Sequence, residues 1–131
     1  MEKRYDAIIV GGGPAGLSAA IYMARAQFHV LVIEKDTIGG QITITGEVVN
    51  YPGIPYTNGK KLTAGMHSQA ESFGAEFLTA EVTGLDLEGT YKTVHTTRGD
   101  FTAAGIIYAA GAHPRLAGFA GEEEFKGHGV A

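Results

Sequence analysis

The feature that most constrains the fold is a glycine-rich turn, GGGPAG at Gly11–Gly16, placed between two apolar stretches. The stretch before it, Tyr5–Val10, is short and rich in β-branched residues, which is typical of a buried parallel strand. Pro14 suits the first turn of a helix, where its missing N–H costs nothing, and the apolar spacing after it predicts a helix to about Gln27. A second apolar run, Val30–Ile33, completes a βαβ unit with a right-handed crossover.

This turn satisfies the pattern Gly-x-Gly-x-x-Gly, and each glycine has a physical role in binding a nucleotide. Gly11 permits the tight turn, Gly13 lets a pyrophosphate approach the backbone, and Gly16 lets the helix pack closely on the strand. The helix N-terminus adds free N–H groups and partial positive charge for the anion. Glu34 ends the second strand, about 20 residues after the turn, where an acid binds the adenosine ribose. The pattern predicts a dinucleotide, and the Glu34 carboxylate disfavours NADP at this site because it would repel a 2′-phosphate.

The middle of the chain predicts a long loop and a second helix. The loop, Asp36–Gly59, is dense in glycine, threonine and proline, and connections of this length are usually functional. Asn58 or Thr57 is expected to cap the helix that follows, and Gly74 is expected to end it. Four apolar residues of this helix are predicted to share its buried face: Leu62, Met66, Ala70 and Phe73.

The last part of the chain predicts further strands. Glu76–Thr102 alternates β-like runs with turn signals, which indicates a strand followed by an antiparallel meander. Ile106–Ala110 is one more short apolar strand, ended by Gly111. The predicted fold class is therefore α/β, a Rossmann-like domain with a parallel sheet plus a small antiparallel β-meander.

Composition excludes several classes of protein. The 131 residues suit one domain, and 10 basic against 14 acidic side chains, a net charge of −4, provide no basic face for nucleic acid. The absence of cysteine excludes a disulfide or a redox dithiol within these residues. The uncharged run Ala7–Ala24 is broken by the glycine turn, so we predict no membrane span and expect a soluble, cytoplasmic protein.

Metal and hydrolytic sites have no support in the sequence. The histidines lack metal-ligand spacing, so no metal site is predicted. Ser18 and Ser68 lack the surroundings of a nucleophilic serine. His113 follows an Ala-Gly turn near the expected cofactor edge, and we expect it to be a solvated loop residue.

The loop after Glu34 favours a flavin, although the glycine pattern alone leaves NAD and FAD open. Gly39–Gln41 places two glycines and an amide beyond the second strand, where peptide groups can meet the edge of a flat ring and the amide can donate and accept. Asn50 offers a second adaptable amide at the head of a turn.

Taken together, these residues resemble the low-molecular-weight bacterial thioredoxin reductase family. The likeness covers nearly the whole chain and is carried by five motifs in a fixed order: Ile8–Gly16, Gly39–Gln41, Val48–Gly53, Ala109–Gly111 and Gly121–Glu123. The chain departs from the family at Ala110, where threonine is usual, so a hydroxyl hydrogen bond expected there is absent.

The resemblance implies a set of FAD contacts. In that family the glycine turn holds the FAD pyrophosphate, and the acid matching Glu34 binds the ribose. The residues matching Gly40–Gln41 and Asn50 approach the flavin. The residue matching Val82 lies by the adenine, and the turn matching Ala110–Gly111 crosses near the cofactor. The complete set of predicted cofactor-binding residues is Gly11, Gly13, Pro14, Ala15, Glu34, Lys35, Gly39, Gly40, Gln41, Thr45, Asn50, Val82, Ala110 and Gly111.

The resemblance also implies a larger enzyme. Such a flavoprotein disulfide reductase passes a hydride from NADPH to flavin N5, then two electrons to a dithiol and on to a thioredoxin-like protein, and it works as a homodimer. Residues 1–115 are expected to be the first segment of an incomplete FAD-binding domain, and residues 116–131 a linker towards an NADPH-binding domain outside this chain. No residue here is predicted to be a catalytic acid, base or nucleophile, so the chain alone is expected to be inactive.

Two other functions stay open from the residues. One is a ferredoxin/flavodoxin–NADP reductase of thioredoxin reductase type, which has no dithiol. The other is a non-catalytic module that binds a dinucleotide as a sensor or subunit.

Overall fold

The computed structural model of the protein describes residues 4–129 and begins with the predicted βαβ unit. Strand β1 (Arg4–Val10) leads through the glycine turn into helix α1 (Pro14–Arg25), which leads into strand β2 (Val30–Glu34). β1 and β2 are parallel, with Ala7 opposite Val30. The prediction for this unit is confirmed, and the turn lies where β1 ends.

Four further strands complete one six-stranded sheet. They are β3 (Glu76–Thr79), β4 (Val82–Asp86), β5 (Lys92–Thr96) and β6 (Gly99–Tyr108), and the spatial order is β3-β2-β1-β6-β5-β4. β3, β2, β1 and β6 are mutually parallel, whereas β4 and β5 are antiparallel to their neighbours. The predicted parallel sheet and meander are both present, joined in one sheet.

The sequence prediction wrongly divided one strand into two. The last strand of the meander and the separate strand predicted at Ile106–Ala110 are a single element, β6. Its first half pairs antiparallel with β5 from Gly99 to Ala103, and it pairs parallel with β1 as far as Tyr108. The small residues in its middle have weak strand preference, and pairing on both sides overrides that preference.

Helix α2 (Gly59–Ser72) packs beside α1 on one face of the sheet. Asn58, not Thr57, is its cap, because the Asn58 side-chain oxygen accepts the Lys61 N–H at 2.8 Å. Leu62, Met66 and Ala70 are buried as predicted, but Phe73 is 43% exposed. Phe73 is the C-cap residue, where the backbone leaves the helix, so the helical spacing no longer sets its direction.

The core has two layers, one on each side of β1. Ile8 of β1 and Val94 of β5 belong to the same buried cluster, on one face of the sheet. Ile9 packs on the opposite face, where Ala20 of α1 and Ala70 of α2 are fully buried against the sheet. Small alanines let both helices approach the strands closely. Burial on both faces fixes β1 in the middle of the sheet, and with it the position of the glycine turn. Among residues 4–129, no helix is both long enough and apolar enough to cross a membrane.

The segment after β6 contains a turn that the Glu122 side chain stabilises. Glu122 accepts the Ala117 N–H at 2.7 Å and the Gly118 N–H at 2.6 Å. These backbone hydrogen bonds, first that of Ala117 and then that of Gly118, hold the pKa of the Glu122 carboxyl below its usual value. The last two residues of the predicted linker lie outside the described residues.

This turn should be sensitive to acid. Because the folded pKa is lowered, the turn is stabilised above the ordinary pKa of glutamate and loses that stabilisation as the pH falls through the lowered value. We expect the amide signals of Ala117 and Gly118 to titrate together in NMR spectra, with a midpoint below the usual value of about 4.3. The variant Glu122→Gln should remove this titration. A midpoint at or above the usual value contradicts the prediction.

Candidate functional site

An open groove lies at the carboxyl edge of the parallel strands. Its volume is about 530 Å³, and its walls are the glycine turn with the start of α1, the end of β2, a 3-10 helix (Gly40–Ile44) and the segment after β6. A smaller groove of about 340 Å³ continues from it towards the start of β4. The two grooves share five lining residues: Glu34, Lys35, Ala110, Gly111 and His113. In parallel sheets this edge is where ligands bind.

Two glycines of the turn are required by the packing of the protein itself. Gly11 has φ +108°, and a β-carbon there would overlap the Ala109 carbonyl, with its carbon only 2.6 Å away. A β-carbon at Gly16 would overlap the Gly11 carbonyl oxygen and lie 3.0 Å from the Gly11 carbonyl carbon. The first glycine therefore lets the end of β6 pass close by, and the second lets α1 begin directly against the turn.

Gly13 is different, because the fold does not require a glycine there. Its φ of −78° is open to any residue, and the nearest atom to an added β-carbon would be the Gly40 Cα at 3.8 Å, an ordinary contact. Gly13 lines the larger groove and is the N-cap residue of α1, which has no side-chain cap hydrogen bond. The bare backbone at Gly13 thus leaves the first N–H groups of α1 available to an anion in the groove.

Glu34 has its carboxylate held at the junction of the grooves. Oε2 accepts the Gly12 N–H at 2.7 Å, and Oε1 accepts the Asp36 N–H at 3.0 Å. Each carboxylate oxygen can accept a second hydrogen bond, so the group keeps capacity for a ligand hydroxyl. The backbone has fixed the carboxylate before any ligand arrives.

The loop after β2 is anchored to the glycine turn. The Gly39 N–H donates to the Gly12 carbonyl at 2.8 Å. Gly40, at φ +65°, brings its backbone against Gly13, whose Cα would lie 3.1 Å from an added β-carbon. A β-carbon at Gly39 would instead lie 2.6 Å from the Thr63 hydroxyl oxygen of α2. Gly40 therefore forms the groove wall, whereas Gly39 serves packing behind it.

Gln41 joins two walls of the groove. Its side-chain amide donates to the Ala112 carbonyl oxygen and lies 3.2 Å from His113 Nδ1. Ala112 and His113 belong to the segment after β6, so this contact connects the 3-10 helix with that segment.

The structure brings most of the predicted cofactor-binding residues together. Gly39, Thr45 and Asn50 line neither groove, and all the others line one or both. The Thr45 carbonyl accepts the Gly59 N–H at 2.9 Å, which ties the loop to the start of α2. Asn50 is exposed and directly precedes a turn closed by a bridge between Tyr51 and Ile54. For these three residues, as for those that line the grooves, cofactor contact stays a prediction.

Sequence reasoning missed several lining residues. In the larger groove these are Asp36, Thr37, Ile42, Thr43, Ala109, Ala112 and His113. Asp36 and Thr37 directly follow a strand that ends at this edge, so the strand-end rule could have found them. The 3-10 helix was predicted as plain loop, and no periodic signal in five residues could have revealed it. His113 is an exposed loop residue as expected, but it also contacts Gln41.

The chain has many relatives among known proteins. A family model described as pyridine nucleotide-disulphide oxidoreductase matches residues 5–131. A thioredoxin reductase from Peptoclostridium acidaminophilum is 46% identical over 132 residues, covering 100% of this chain and 42% of the relative. The crystal structure of Lactococcus lactis thioredoxin reductase is 40% identical with a TM-score of 0.87, covering 92% of this chain and 40% of that one.

A ferredoxin-flavin thioredoxin reductase from Clostridium acetobutylicum is 29% identical with a TM-score of 0.79, covering 95% of this chain and 43% of that one. These matches confirm the resemblance and the fold class, and they agree with FAD as the predicted cofactor. The chain spans about 42% of the length of the first of these relatives. The match covers the glycine turn, the strand-end glutamate and the groove that they line. The chain belongs to the pyridine nucleotide-disulphide oxidoreductase family.

Proposed function

We propose that this chain is the first segment of the FAD-binding domain of a flavoprotein disulfide reductase of thioredoxin reductase type. The observation that carries the proposal is Gly13, which lines the groove without a side chain although the fold does not need a glycine there. A pyrophosphate is a ligand that requires such close approach to the backbone.

The start of α1 fits the pyrophosphate. Gly13, Pro14 and Ala15 line the larger groove, and α1 lacks a side-chain cap that would compete for its first N–H groups. The Pro14 ring removes one donor but fixes the first turn of the helix. The remaining N–H groups and the helix dipole attract an anion.

Glu34 fits the adenosine ribose. Its carboxylate lies where both grooves meet, and two backbone N–H groups orient it. Lys35, Val82 and Gly111 line the smaller groove and would surround the adenine side of the cofactor. Gly11 also lines this groove, although packing already accounts for its lack of a side chain.

Glu34 provides a direct test of the ribose contact. The variant Glu34→Gln keeps an acceptor for Gly12 but places an NH₂ where a second acceptor was. We expect FAD affinity to fall about tenfold, the effect of losing one charge-assisted hydrogen bond, when measured by quenching of flavin fluorescence. Glu88→Gln is the matched control, because Glu88 is exposed and lines neither groove. Equal affinities of the two variants would contradict the role of Glu34.

The other side of the larger groove would hold the flavin end. Gly40 and Gln41 line it there, and Ala110 lines it from the segment after β6. Gly39, Thr45 and Asn50 are included in the proposal from the family resemblance, and they would come into contact if the cofactor extended beyond the groove along the loop. Bound FAD would supply the hydride and electron transfer of the reaction, while these residues bind and orient it.

The sheet supports a division of the FAD-binding domain between segments. Beyond Ala103, β6 is no longer paired with β5, so within residues 4–129 its second half has a partner strand, β1, on one side only. A strand from another segment of the protein could pair there and cover the edge. Residues 1–115 would then be the first segment of the domain, and residues 116–131 the linker towards an NADPH-binding domain.

The activity of the whole protein follows from this assignment. NADPH would reduce the flavin, the electrons would pass to a dithiol, and a thioredoxin-like protein would be the final acceptor. A homodimer in the cytoplasm is the expected setting. The relatives that support this assignment are themselves named thioredoxin reductases.

Visible absorption tests the central claim. The purified protein, incubated with FAD and passed through a desalting column, should retain a yellow flavin spectrum. NAD offered in its place should not be retained. A protein that binds NAD as tightly as FAD would contradict the proposal and favour the non-catalytic dinucleotide-binding module.

A second candidate is the ferredoxin/flavodoxin–NADP reductase without a dithiol, although the Clostridium relative whose name includes ferredoxin is itself named a thioredoxin reductase. A reductase that exchanges electrons with ferredoxin or flavodoxin would use the same groove for FAD. Electron transfer from NADPH to thioredoxin and to ferredoxin, measured in parallel on the whole protein that contains this segment, separates the two. Reduction of thioredoxin supports the first candidate, and reduction of ferredoxin without thioredoxin supports the second.

A further inference from the structure

His113 is an exposed loop residue that forms part of the candidate site. It lines both grooves, at the point where they meet. Its Nδ1 lies 3.2 Å from the side-chain nitrogen of Gln41, which belongs to the 3-10 helix that forms another wall of the larger groove. The imidazole is thereby held at the edge of the space that the proposed cofactor would fill.

The hydrogen bonds of Gln41 determine the tautomer of this imidazole. The Ala112 carbonyl oxygen can only accept, so the Gln41 group facing it must be the NH₂ donor. The same NH₂ faces His113 Nδ1, which must therefore be an unprotonated acceptor. Reversing the amide would place its oxygen against the Ala112 oxygen, so the arrangement has one consistent assignment.

The proton of neutral His113 consequently resides on Nε2. Within residues 4–129, Nε2 of His113 has no hydrogen-bond partner. A ring nitrogen fixed as a donor, without a protein acceptor, at the junction of two grooves is suited to an oxygen atom of a ligand.

We propose that His113 is a cofactor-positioning residue whose Nε2–H donates a hydrogen bond to an oxygen of the bound dinucleotide, with Gln41 selecting the tautomer. This inference depends on the proposed function, because FAD is the dinucleotide concerned. Gln41 then has a second task beside any flavin contact, which is to orient the histidine.

Two amide substitutions separate this role from a structural one. Asparagine can replace Nδ1 with its side-chain oxygen and so keep the contact to Gln41, but its short side chain has no donor at the Nε2 position. Glutamine reaches the Nε2 position with its NH₂ but has no acceptor near Gln41. If His113 acts as a ligand donor, glutamine restores binding; if it only ties two loops together, asparagine does.

The experiment measures FAD affinity by flavin fluorescence for the unaltered protein and for His113→Ala, His113→Gln and His113→Asn. We expect alanine and asparagine to weaken binding about three- to tenfold, the range of one neutral hydrogen bond, and glutamine to recover most of that loss. His95→Ala is the control, since His95 pairs with Asp100 at 2.9 Å in the meander and lines neither groove. Its affinity should be unchanged.

Nitrogen-15 NMR of the imidazole provides a readout without catalysis. At pH 8 the His113 ring should show a bare Nδ1 and a protonated Nε2, and addition of FAD should shift the Nε2 signal. A protonated Nδ1, or rescue by asparagine but not by glutamine, would overturn the inference. If FAD binds and His113→Ala has no effect, His113 has no such role while the proposed function stands; if FAD does not bind the unaltered protein at all, the proposed function fails as well.

Discussion

Gly13→Ala is expected to abolish tight FAD binding while leaving the fold intact. The added methyl group would enter the groove beside the first N–H groups of α1, where the pyrophosphate must approach. Losing two hydrogen bonds to a charged group costs about 3–6 kcal/mol, so FAD affinity should fall roughly 100-fold or more. Equilibrium titration with FAD measures this change.

The fold should tolerate the same substitution. Apart from Gly13 and its two chain neighbours, no atom of residues 4–129 lies closer than 3.8 Å to the new β-carbon, and the backbone at Gly13 is in the ordinary extended region. Alanine is a poorer cap than glycine, but it also lowers the entropy of the unfolded chain, so the free energy of unfolding should stay within about 1 kcal/mol of the original. Gly46→Ala, in open space on the loop, is the control and should bind FAD normally. Unchanged FAD affinity in Gly13→Ala would refute the proposed site.

Gly16→Ala, unlike Gly13→Ala, is expected to lower the free energy of unfolding strongly. The added β-carbon would overlap the Gly11 carbonyl oxygen, and neither the turn nor the buried start of α1 can move without disturbing β1. Overpacking of this kind costs about 1–3 kcal/mol and sometimes more, and we expect the upper end of that range because the atom met is backbone. Urea unfolding followed by circular dichroism measures the change.

Gly65→Ala is the matched control for this substitution. Both glycines are helical, but a β-carbon at Gly65 would have nothing within 4 Å. Alanine should therefore stabilise α2 by about 1 kcal/mol, the difference in helix preference between the two residues. If Gly16→Ala were as stable as Gly65→Ala, the close packing of α1 against the glycine turn would be incorrect.

The βαβ unit could be predicted because its information is local. An apolar run, a glycine turn, a proline at the first helical position and an acid at the next strand end are all readable within about 30 residues. The position of Glu34 followed from the same unit. Its carboxylate geometry did not, since the hydrogen bond from Gly12 depends on how closely β1 and β2 pair.

The loop between β2 and α2 shows where local information ends. Gly39 and Gly40 have the same sequence signal, yet Gly39 packs against Thr63 and Gly40 against Gly13. Which neighbour each glycine meets depends on where α2 is placed, and a sequence pattern does not specify that placement. For the same reason the contact of Gln41 with the segment after β6 was not foreseen.

The sequence by itself determined that a phosphate-binding turn ends the first strand and that an acid ends the second, because backbone sterics and helix capping act over a few residues. Only the tertiary structure decided that β6 is one strand and that His113 contacts Gln41. It also decided that, of the three glycines in the Gly-x-Gly-x-x-Gly pattern, Gly13 is the one that packing does not require. These outcomes depend on distances between segments far apart in the chain, and such distances are fixed when the sheet and its two helices pack together.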